Sequence, residues 1–333
     1  MESVVIHTPS AQDLQPIKPS LIKPISTILP NPLHTLRHTL YTIFLFSYDQ
    51  FIDVLLPCTT FALCTTLSPK LTSNADPSDS LPRHLVAAAT WLFVLVLQCD
   101  LQNQSSPAGI AEDTLNKSWR PIPAGRITQK QTQRLLDVVQ CASALLSYQL
   151  GCAPQWVVYT VLCYLYNQRG FGDCSGVSKN GFCAAGYVCF FAGAVRIVAG
   201  PGAMLDYRVW RWIGVMTFGA LGTTIQIQDL RDEVGDRARG RKTLVIQMGR
   251  RNTILWSVGL VVAWSLVLPL WVLRGAWQVS VVPVVLGTVL AIMLLRGLDE
   301  RNMGADRWVC GLWGLWIMGL CVLPGVQVLT LQG

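Results

Sequence analysis

The sequence predicts an all-helical, polytopic membrane protein with about nine transmembrane helices in a bundle. Hydrophobic residues make up 51% of its 333 residues and charged residues only 14%, whereas an ordinary globular protein carries about 25% charged residues. A helix that crosses a bilayer needs about 20 mostly apolar residues. Nine apolar stretches approach that length, at 41–67, 84–101, 133–151, 154–167, 182–199, 210–228, 253–273, 277–296 and 307–331.

The region before the first stretch reads as a tail. The first forty residues contain six prolines and no long apolar run, so we expect residues 1–38 to form a cytosolic, partly disordered segment. Residues 39–333 then form one transmembrane domain. We expect the first apolar stretch to be a helix although it contains Asp49 and Asp53. An intramembrane acid is a functional candidate because burying its charge is costly; alternatively, the helix begins later and Asp49 lies at the surface.

The distribution of positive charge predicts the orientation. If the tail is cytosolic, the connections at 102–132, 167–182, 229–252 and 296–307 are cytosolic too, and they contain sixteen Lys and Arg. The opposite connections contain four. An excess of Lys and Arg on the cytosolic side is the positive-inside pattern, which explains the net charge of +7 without a nucleic-acid partner.

Two other site classes find no support in the sequence. The eleven cysteines are scattered without a Cys-x-x-Cys pair, as small hydrophobic residues would be. The four histidines lie far in sequence from the acidic stretches, which argues against a zinc site or a histidine general base.

The stretch 228–244, QDLRDEVGDRARGRKTL, follows the sixth apolar stretch directly. If the helix continues, Asp229, Asp232, Glu233 and Asp236 lie on one face, where their charges repel unless a cation sits among them. Mg²⁺ is commonly bound by a few carboxylates together with a substrate phosphate. The arginines and the lysine that follow could bind that anion. The stretch therefore predicts a metal and a phosphate together, with these acids at a wet helix end.

A second polar stretch follows the second apolar segment, from Asp100 to Thr128. Asp113, Asn116, Lys117 and Arg120 share one helical spacing, and Pro121 should end that helix. Asn103, Gln104 and Glu112 add oxygen atoms nearby. A single charged run beside a membrane helix is usually a solvated loop that sets topology. Two such runs, each combining acids with Gly-Arg and Thr, favour a site.

These residues resemble the UbiA superfamily of intramembrane prenyl-diphosphate enzymes. Its first motif is N-D-x-x-D-x-x-x-D followed by R-P-x-x-S-G, and its second is D-x-x-D-x-x-G-D with a following Lys. The chain shows NQ, ED, NK and RPIPAGRIT in the first place and DLRDEVGDRARGRKTL in the second. The resemblance implies nine helices around a central cavity open to the cytosolic side, with Mg²⁺ bridging a prenyl diphosphate between the motifs.

The same resemblance, together with the polar residues beside the motifs, gives a set of candidate site residues. Asp113, Asp232 and Lys242 are the expected catalytic residues. The expected metal ligands or supports are Asn103, Glu112, Asp113, Asn116, Asp229, Asp232 and Asp236, and the expected diphosphate-binding residues are Arg120, Arg126, Arg169, Arg241 and Lys242.

The first motif departs from the family pattern. Gln104 stands where Asp is expected, and Asn103 precedes Asp113 by ten residues instead of eight, which indicates an altered loop at Ser105 to Pro107. Fungal members that are membrane-bound terpene cyclases look more similar here than acceptor-prenylating members, so we favour cyclisation. Aromatic faces stabilise carbocations, and the aromatic candidates for the cavity wall are Trp156, Tyr159, Tyr164, Tyr166, Tyr187, Phe190, Phe191 and Phe218. The acidic candidates for the cavity are Asp49 and Asp53.

Three functions remain open from the sequence. A class I terpene cyclase would need an allylic diphosphate, with farnesyl diphosphate expected, and Mg²⁺. A prenyltransferase would also need an aromatic or other acceptor. A channel or transporter should place its polar residues along a midplane pathway, and the acids at helix ends disfavour it. The expected setting is the endoplasmic reticulum membrane, with active-site loops in the cytosol, membrane lipid around the helices and an oligomeric state that the sequence leaves open.

Overall fold

The structure is a computed structural model that describes residues 32–74, 80–273, 280–298 and 302–329. Nearly all of them are helical, as predicted. The helices are α1 (Pro32–Phe46), α2 (Leu56–Thr66), α3 (Leu81–Gln104), α4 (Pro107–Asn116), α5 (Gln129–Gln149), α6 (Ala153–Asn167), α7 (Phe171–Cys174), α8 (Gly176–Ala199), α9 (Tyr207–Gly214), α10 (Gly222–Thr224), α11 (Asp229–Arg239), α12 (Leu244–Met248), α13 (Arg250–Leu273), α14 (Val281–Arg296), α15 (Met303–Cys321) and α16 (Leu323–Leu329).

Short irregular elements complete the fold. π-Helical turns span Phe51–Leu55 and Val215–Leu221, and a 3₁₀ turn spans Ile225–Ile227. The strands β1 (Thr72–Ser73) and β2 (Met204–Leu205) pair antiparallel, with Thr72 opposite Leu205. They tie the connection after α2 to the connection after α8.

Residues from Tyr41 onward form one compact unit. Most of the predicted tail, residues 1–31, lies outside the described residues, and residues 32–38 belong to α1. The domain boundary at residue 38 therefore stays a prediction.

Within the described residues, four helices are long and apolar enough to cross a membrane: Leu81–Gln104, Gly176–Ala199, Arg250–Leu270 and Gly304–Val326. Two shorter apolar helices span Phe51–Thr66 and Val281–Arg296. The prediction of a helical membrane protein is confirmed. The count of nine spans stays a prediction.

The first predicted segment, 41–67, is not one continuous helix. It breaks at residues 47–50, between α1 and the π-helical turn. Asp49 lies in this break, and its carboxylate has three cationic side chains within 4 Å, those of Lys117, Arg120 and Arg231. A carboxylate inside a regular apolar helix would lack such partners, and the break lets Asp49 reach them.

The core contains large aromatic side chains whose N–H groups are satisfied by hydroxyls. Trp91 donates to Ser147 (2.9 Å), and Trp313 donates to Thr224 (2.9 Å). Gly193 permits this packing, because a Cβ there would lie 2.1 Å from the Trp91 ring. Trp313 and Trp316 are fully buried, whereas Trp308 is exposed.

The packing order of the helices brings the polar segments together. α8 packs against α2, α3 and α6, while α15 packs against α2 and α14. The short helix α4, which follows α3, packs against α11. The two polar stretches that the sequence singled out therefore meet through α4 and α11.

Candidate active site

The first polar stretch is built around a helix break. α3 ends at Gln104, and α4 begins at Pro107 after an N-cap at Ser106, whose hydroxyl accepts a hydrogen bond from the Gly109 N–H (3.0 Å). The extra residues of this motif thus separate two helices. α4 ends at Asn116, four residues earlier than Pro121 suggested, because Lys117 leaves the helical conformation (φ −142°, ψ 56°).

A glycine and an amide join the two stretches. The Asn116 Oδ1 accepts a hydrogen bond from the Gly235 N–H (3.0 Å), and its Nδ2 donates to the Asp232 carbonyl (2.8 Å). A Cβ on Gly235 would lie 2.2 Å from the Asn116 Nδ2. The expected metal ligand Asn116 therefore holds α4 against α11 with both atoms of its amide.

One group of charged side chains, the Asp49 cluster, spans both stretches. Lys117 pairs with Asp232 (2.8 Å) and Asp49 (3.8 Å). Arg120 pairs with Asp113 (2.7 Å) and Asp49 (3.4 Å). The expected catalytic residues Asp113 and Asp232 are thus linked through two cations, although they come from distant parts of the chain.

A second group, the Asp236 cluster, lies beside Glu112. Arg241 contacts Glu112 (3.3 Å), Asp236 (3.2 Å) and Asp173 of α7 (2.7 Å). Arg239 contacts Glu112, Asp173 and the amide oxygen of Asn103 (3.0 Å for Glu112 and for Asn103).

Asp229 belongs to the same group. It pairs with Lys179 of α8, and both side chains are buried. The expectation that Asp229 sits at a wet helix end is therefore wrong, because its side chain is buried with Lys179.

The environments of two acids on α11 push their pKa values apart. Burial opposes ionisation of Asp232, yet Lys117 and Arg231 hold the pKa of its carboxyl well below its usual range. Burial and the neighbouring Asp229 carboxylate raise the pKa of Asp236 to about 7, against the opposing effect of Lys179 and Arg241. An added cation between Asp229 and Asp236 would favour the ionised form of both.

The available donor atoms are of the chemical type that a hard divalent cation prefers. One carboxylate oxygen on each of Asp113, Asp229 and Asp236 is buried without a hydrogen-bond partner, and carboxylate oxygen is the ligand that Mg²⁺ prefers. Within the described ranges, no three acidic, histidine or cysteine side chains converge on a single metal position. Lys and Arg lie between them, so a bound metal requires these ion pairs to exchange partners.

A chamber of about 220 Å³ opens beside the Asp236 cluster. Asn103, Lys179 and Gln228 line it, and its aromatic wall is formed by Tyr159, Tyr166, Phe182, Tyr187 and Phe190. Its volume lies below the ~300–1,000 Å³ of sites for drug-sized ligands. The chamber thus joins a charged region to an aromatic, largely apolar interior.

Asp49 and Asp53 line a second cavity of about 490 Å³, together with Lys117, Trp119 and Arg231. Asp53 is buried, and its backbone carbonyl accepts a hydrogen bond from the Tyr187 hydroxyl (2.7 Å). Asp53 is therefore an interior residue, whereas Asp49 is partly buried and lies in the break before the helical segment that starts at Phe51. A functional role of the two acids stays a prediction.

Several predicted site residues lie elsewhere. Arg126 stacks on Tyr41 and donates to Thr42 (3.2 Å), because the turn after Pro121 points it at α1. Arg169 is exposed, and no ion pair within the described residues joins it to either cluster. Tyr164 is 44% exposed, on the face of α6 away from Tyr159.

Other candidates for the aromatic wall also lie outside the chamber. Phe218 is exposed, Trp156 donates to Ser143 (2.8 Å), and Phe191 packs on Phe61. Lys242 is exposed as well, and its backbone N–H donates to the Asp173 carbonyl (3.2 Å).

Sequence reasoning assigned no role to three residues of the site. Lys179 and Asp100 are ionisable residues at the ends of apolar stretches, and that position was the available signal. Asp173 carried no such signal, since it lies in a polar connection whose folding brings it to Arg239 and Arg241.

The sequence of the described fold and both clusters matches a family model. A model of the UbiA prenyltransferase family matches residues 56–323. The chain belongs to the UbiA prenyltransferase family. It is therefore an integral membrane enzyme of prenyltransferase or terpene cyclase type, as the two motifs predicted.

Curated relatives include both types of enzyme. Somaliensene A/B synthase of Streptomyces somaliensis is 27% identical over 290 residues, covering 85% of this chain and 93% of the relative. Fumagillin beta-trans-bergamotene synthase of Aspergillus fumigatus is 28% identical, covering 76% of this chain and 90% of the relative. The polyprenyl transferase eriF of Hericium erinaceus is 27% identical, covering 81% and 88%.

Solved structures share the fold. A UbiA homolog from Archaeoglobus fulgidus bound to GPP and Mg²⁺ superposes with a TM-score of 0.60 at 14% identity, covering 85% of this chain and 99% of the homolog. At this identity the likeness supports the fold alone.

Proposed function

We propose that this UbiA family member ionises an allylic prenyl diphosphate and closes the resulting carbocation to a terpene hydrocarbon. The observation that carries the proposal is the junction of the Asp236 cluster with the aromatic chamber. Lys179 and Asn103 line that chamber, and the same two side chains contact Asp229 and Arg239 of the cluster.

In this proposal the polar ends of the two motifs hold the diphosphate. Lys179, Arg241, Lys117 and Arg120 exchange their carboxylate partners for phosphate oxygens, and Lys242 approaches from the solvent side. The metal ligands are drawn from Asn103, Glu112, Asp113, Asp229, Asp232 and Asp236. Mg²⁺, when bound there, neutralises the charge that develops on the departing diphosphate.

The chamber would receive the prenyl chain. Aromatic faces of Tyr159, Tyr187 and Phe190 stabilise a passing carbocation by about 0.5–2 kcal/mol each. The largely apolar wall excludes water, which would otherwise add to the carbocation and give an alcohol. Farnesyl diphosphate is the substrate we propose.

The charge pattern supports one part of the proposed setting, the side of the membrane that the motifs face. We propose nine spans, the cavity opening toward the cytosol, and residence in the endoplasmic reticulum membrane. The positive-inside distribution of Lys and Arg supports the cytosolic assignment of both motifs.

Transfer of the prenyl group to an aromatic or other acceptor is the second candidate. It is favoured by the similarity to a polyprenyl transferase at 27% identity, which nearly equals the similarity to the two terpene synthases. Identity therefore does not separate the two reactions.

The test supplies membranes that contain the protein with farnesyl diphosphate and Mg²⁺ alone. We expect a cyclic hydrocarbon in the extract and release of inorganic diphosphate, both abolished by a chelator. Consumption of farnesyl diphosphate only after an aromatic acid or phenol is added would favour prenyl transfer. Membranes without the protein are the control.

A further inference from the structure

Asp100 is a buried acid that the diphosphate chemistry does not use. It lies in α3, one helical turn (about 4.5 Å of rise) before Asn103, and it is 7% exposed. It lines the same chamber as Tyr159, Tyr187 and Phe190. An ionisable group inside a membrane helix is costly to retain and marks function by default.

The hydrogen bonding of the Asp100 carboxyl is incomplete. Its Oδ1 accepts one long hydrogen bond from Gln50 Nε2 (3.4 Å), and Gln50 also lines the chamber. The Ser47 side chain also acts on this carboxyl, yet among the described residues neither the buried Asp100 Oδ2 nor the buried Ser47 hydroxyl makes a well-formed hydrogen bond. Buried polar groups are usually paired, so Oδ2 is left able to accept a proton.

The charge of Asp100 has a partner at longer range. Arg120 acts on it electrostatically, with Asp49 opposing. Arg120 itself pairs with Asp113 and Asp49, so Asp100 is connected to the diphosphate end through a shared cation while making no direct ion pair. Its position is therefore between the charged clusters and the aromatic wall.

From this placement we propose that Asp100 is the base that ends the cyclisation. The inference rests on the cyclase function proposed above. The diphosphate leaves first with the electron pair of the C–O bond. After ring closure, Asp100 Oδ2 removes a proton from the carbon next to the cationic centre, and the electron pair of the broken C–H bond forms the new C=C bond. The carboxylic acid then passes its proton to the released diphosphate.

The position of Asp100 would also influence which product forms. A fixed negative charge near one end of the chamber stabilises a cation most strongly when the cation is close to it. The carboxylate thus selects which cationic intermediate lives long enough to lose a proton, and where the double bond forms.

The test compares variants in membranes with farnesyl diphosphate and Mg²⁺, and measures the fraction of released diphosphate that appears as each product. Asp100→Asn keeps the shape and removes the base. We expect the fraction of the wild-type hydrocarbon to fall at least about tenfold, replaced by acyclic, alcohol or prematurely deprotonated products. Asp100→Glu, which restores a carboxylate, should recover part of the wild-type product.

Asp306→Asn is the matched control. Asp306 is also a buried acid, paired with Arg250 (2.7 Å) away from the chamber lining, so its loss should leave the product ratio unchanged. If Asp100→Asn does not accumulate, Asp100→Ser, which also lacks a base, carries the same expectation. An unchanged product ratio in a folded Asp100 variant overturns the inference. No hydrocarbon from the wild type overturns the cyclase proposal instead.

Discussion

At the scale of single residues, the structure changes what the acids of α11 are expected to do. Asp229 is buried against Lys179 and not at a wet helix end. Removing one partner of a buried ion pair typically costs about 3–5 kcal/mol, because the other charge is left uncompensated, while replacing both by apolar groups is often neutral. Asp229 therefore contributes to stability as well as to the proposed site.

We accordingly expect Asp229→Ala to lower the unfolding temperature in detergent as well as to abolish turnover. The double variant Asp229→Leu with Lys179→Met should recover most of the stability and none of the activity. Glu233→Ala is the control, since its partner Arg237 is 54% exposed and such surface pairs contribute at most about 1 kcal/mol. Recovery of activity in the double variant would contradict the assignment.

Arg241 and Lys242 are adjacent, but they face different surroundings. Arg241 is buried among Glu112, Asp173 and Asp236, whereas Lys242 is exposed. We expect Arg241→Met to lower kcat/KM by at least about 100-fold, since it removes a preorganised donor. Lys242→Met should lower it by no more than about tenfold. Lys130→Met, on the exposed surface of α5, is the control, and a reversed order of the two losses would favour Lys242 as the diphosphate ligand.

At the scale of elements, the contact between α4 and α11 sets the spacing of the motifs. Gly235 allows the two backbones to approach through Asn116, and any Cβ there would collide with Asn116 and Glu112. Overpacking of a tight contact typically costs about 1–3 kcal/mol. It would also separate Asp232 from Lys117.

Gly235→Ala should therefore reduce turnover by more than tenfold while the protein still folds, because a small displacement of reacting groups has large kinetic effects. Turnover and unfolding temperature are measured together. Gly259→Ala in α13 is the matched control, since a Cβ there meets open space and alanine is the better helix former. Equal activity of the two variants would mean that the α4 to α11 spacing is unimportant.

The elements also show what sequence could predict. Apolar runs near 20 residues predicted α3, α8 and α13 well, because length and hydrophobicity decide such helices. Asp49 and Asp53 signalled an interruption of the first apolar stretch, but the partners of Asp49 could not be predicted, because they come from α11 and from the segment after α4. The end of α4 was misplaced for a similar reason: Lys117 leaves the helix where its side chain reaches Asp232.

At the scale of the whole molecule, the family and the meeting of the motifs were predictable, while the partners of each charge were not. Spacing within α11 placed its acids on one helix, but which acid meets Lys179 and which meets Lys117 depends on how α8 and α4 pack. Arg126 and Arg169, which the family resemblance suggested, lie away from both charged clusters. They belong to connections whose direction is not specified by any local sequence pattern.

If both motifs grip one ligand, binding should stabilise the entire bundle. We expect Mg²⁺ and inorganic diphosphate together to raise the unfolding temperature by more than the sum of the rises that each gives alone. A ligand at 100 times its Kd stabilises the folded state by about 2.7 kcal/mol. Asp236→Asn should remove most of this synergy. Synergy that persists in that variant would place the ligand away from the Asp236 cluster.

Asp49, in the break of the first span, shares Lys117 and Arg120 with the first motif and Arg231 with the second. An anion that draws Lys117 and Arg120 toward itself leaves Asp49 with Arg231 alone. The ion pairs that hold the break in the first span therefore change whenever an anion occupies Lys117 and Arg120. Asp49 is in this sense wired to the same cations as the proposed diphosphate site.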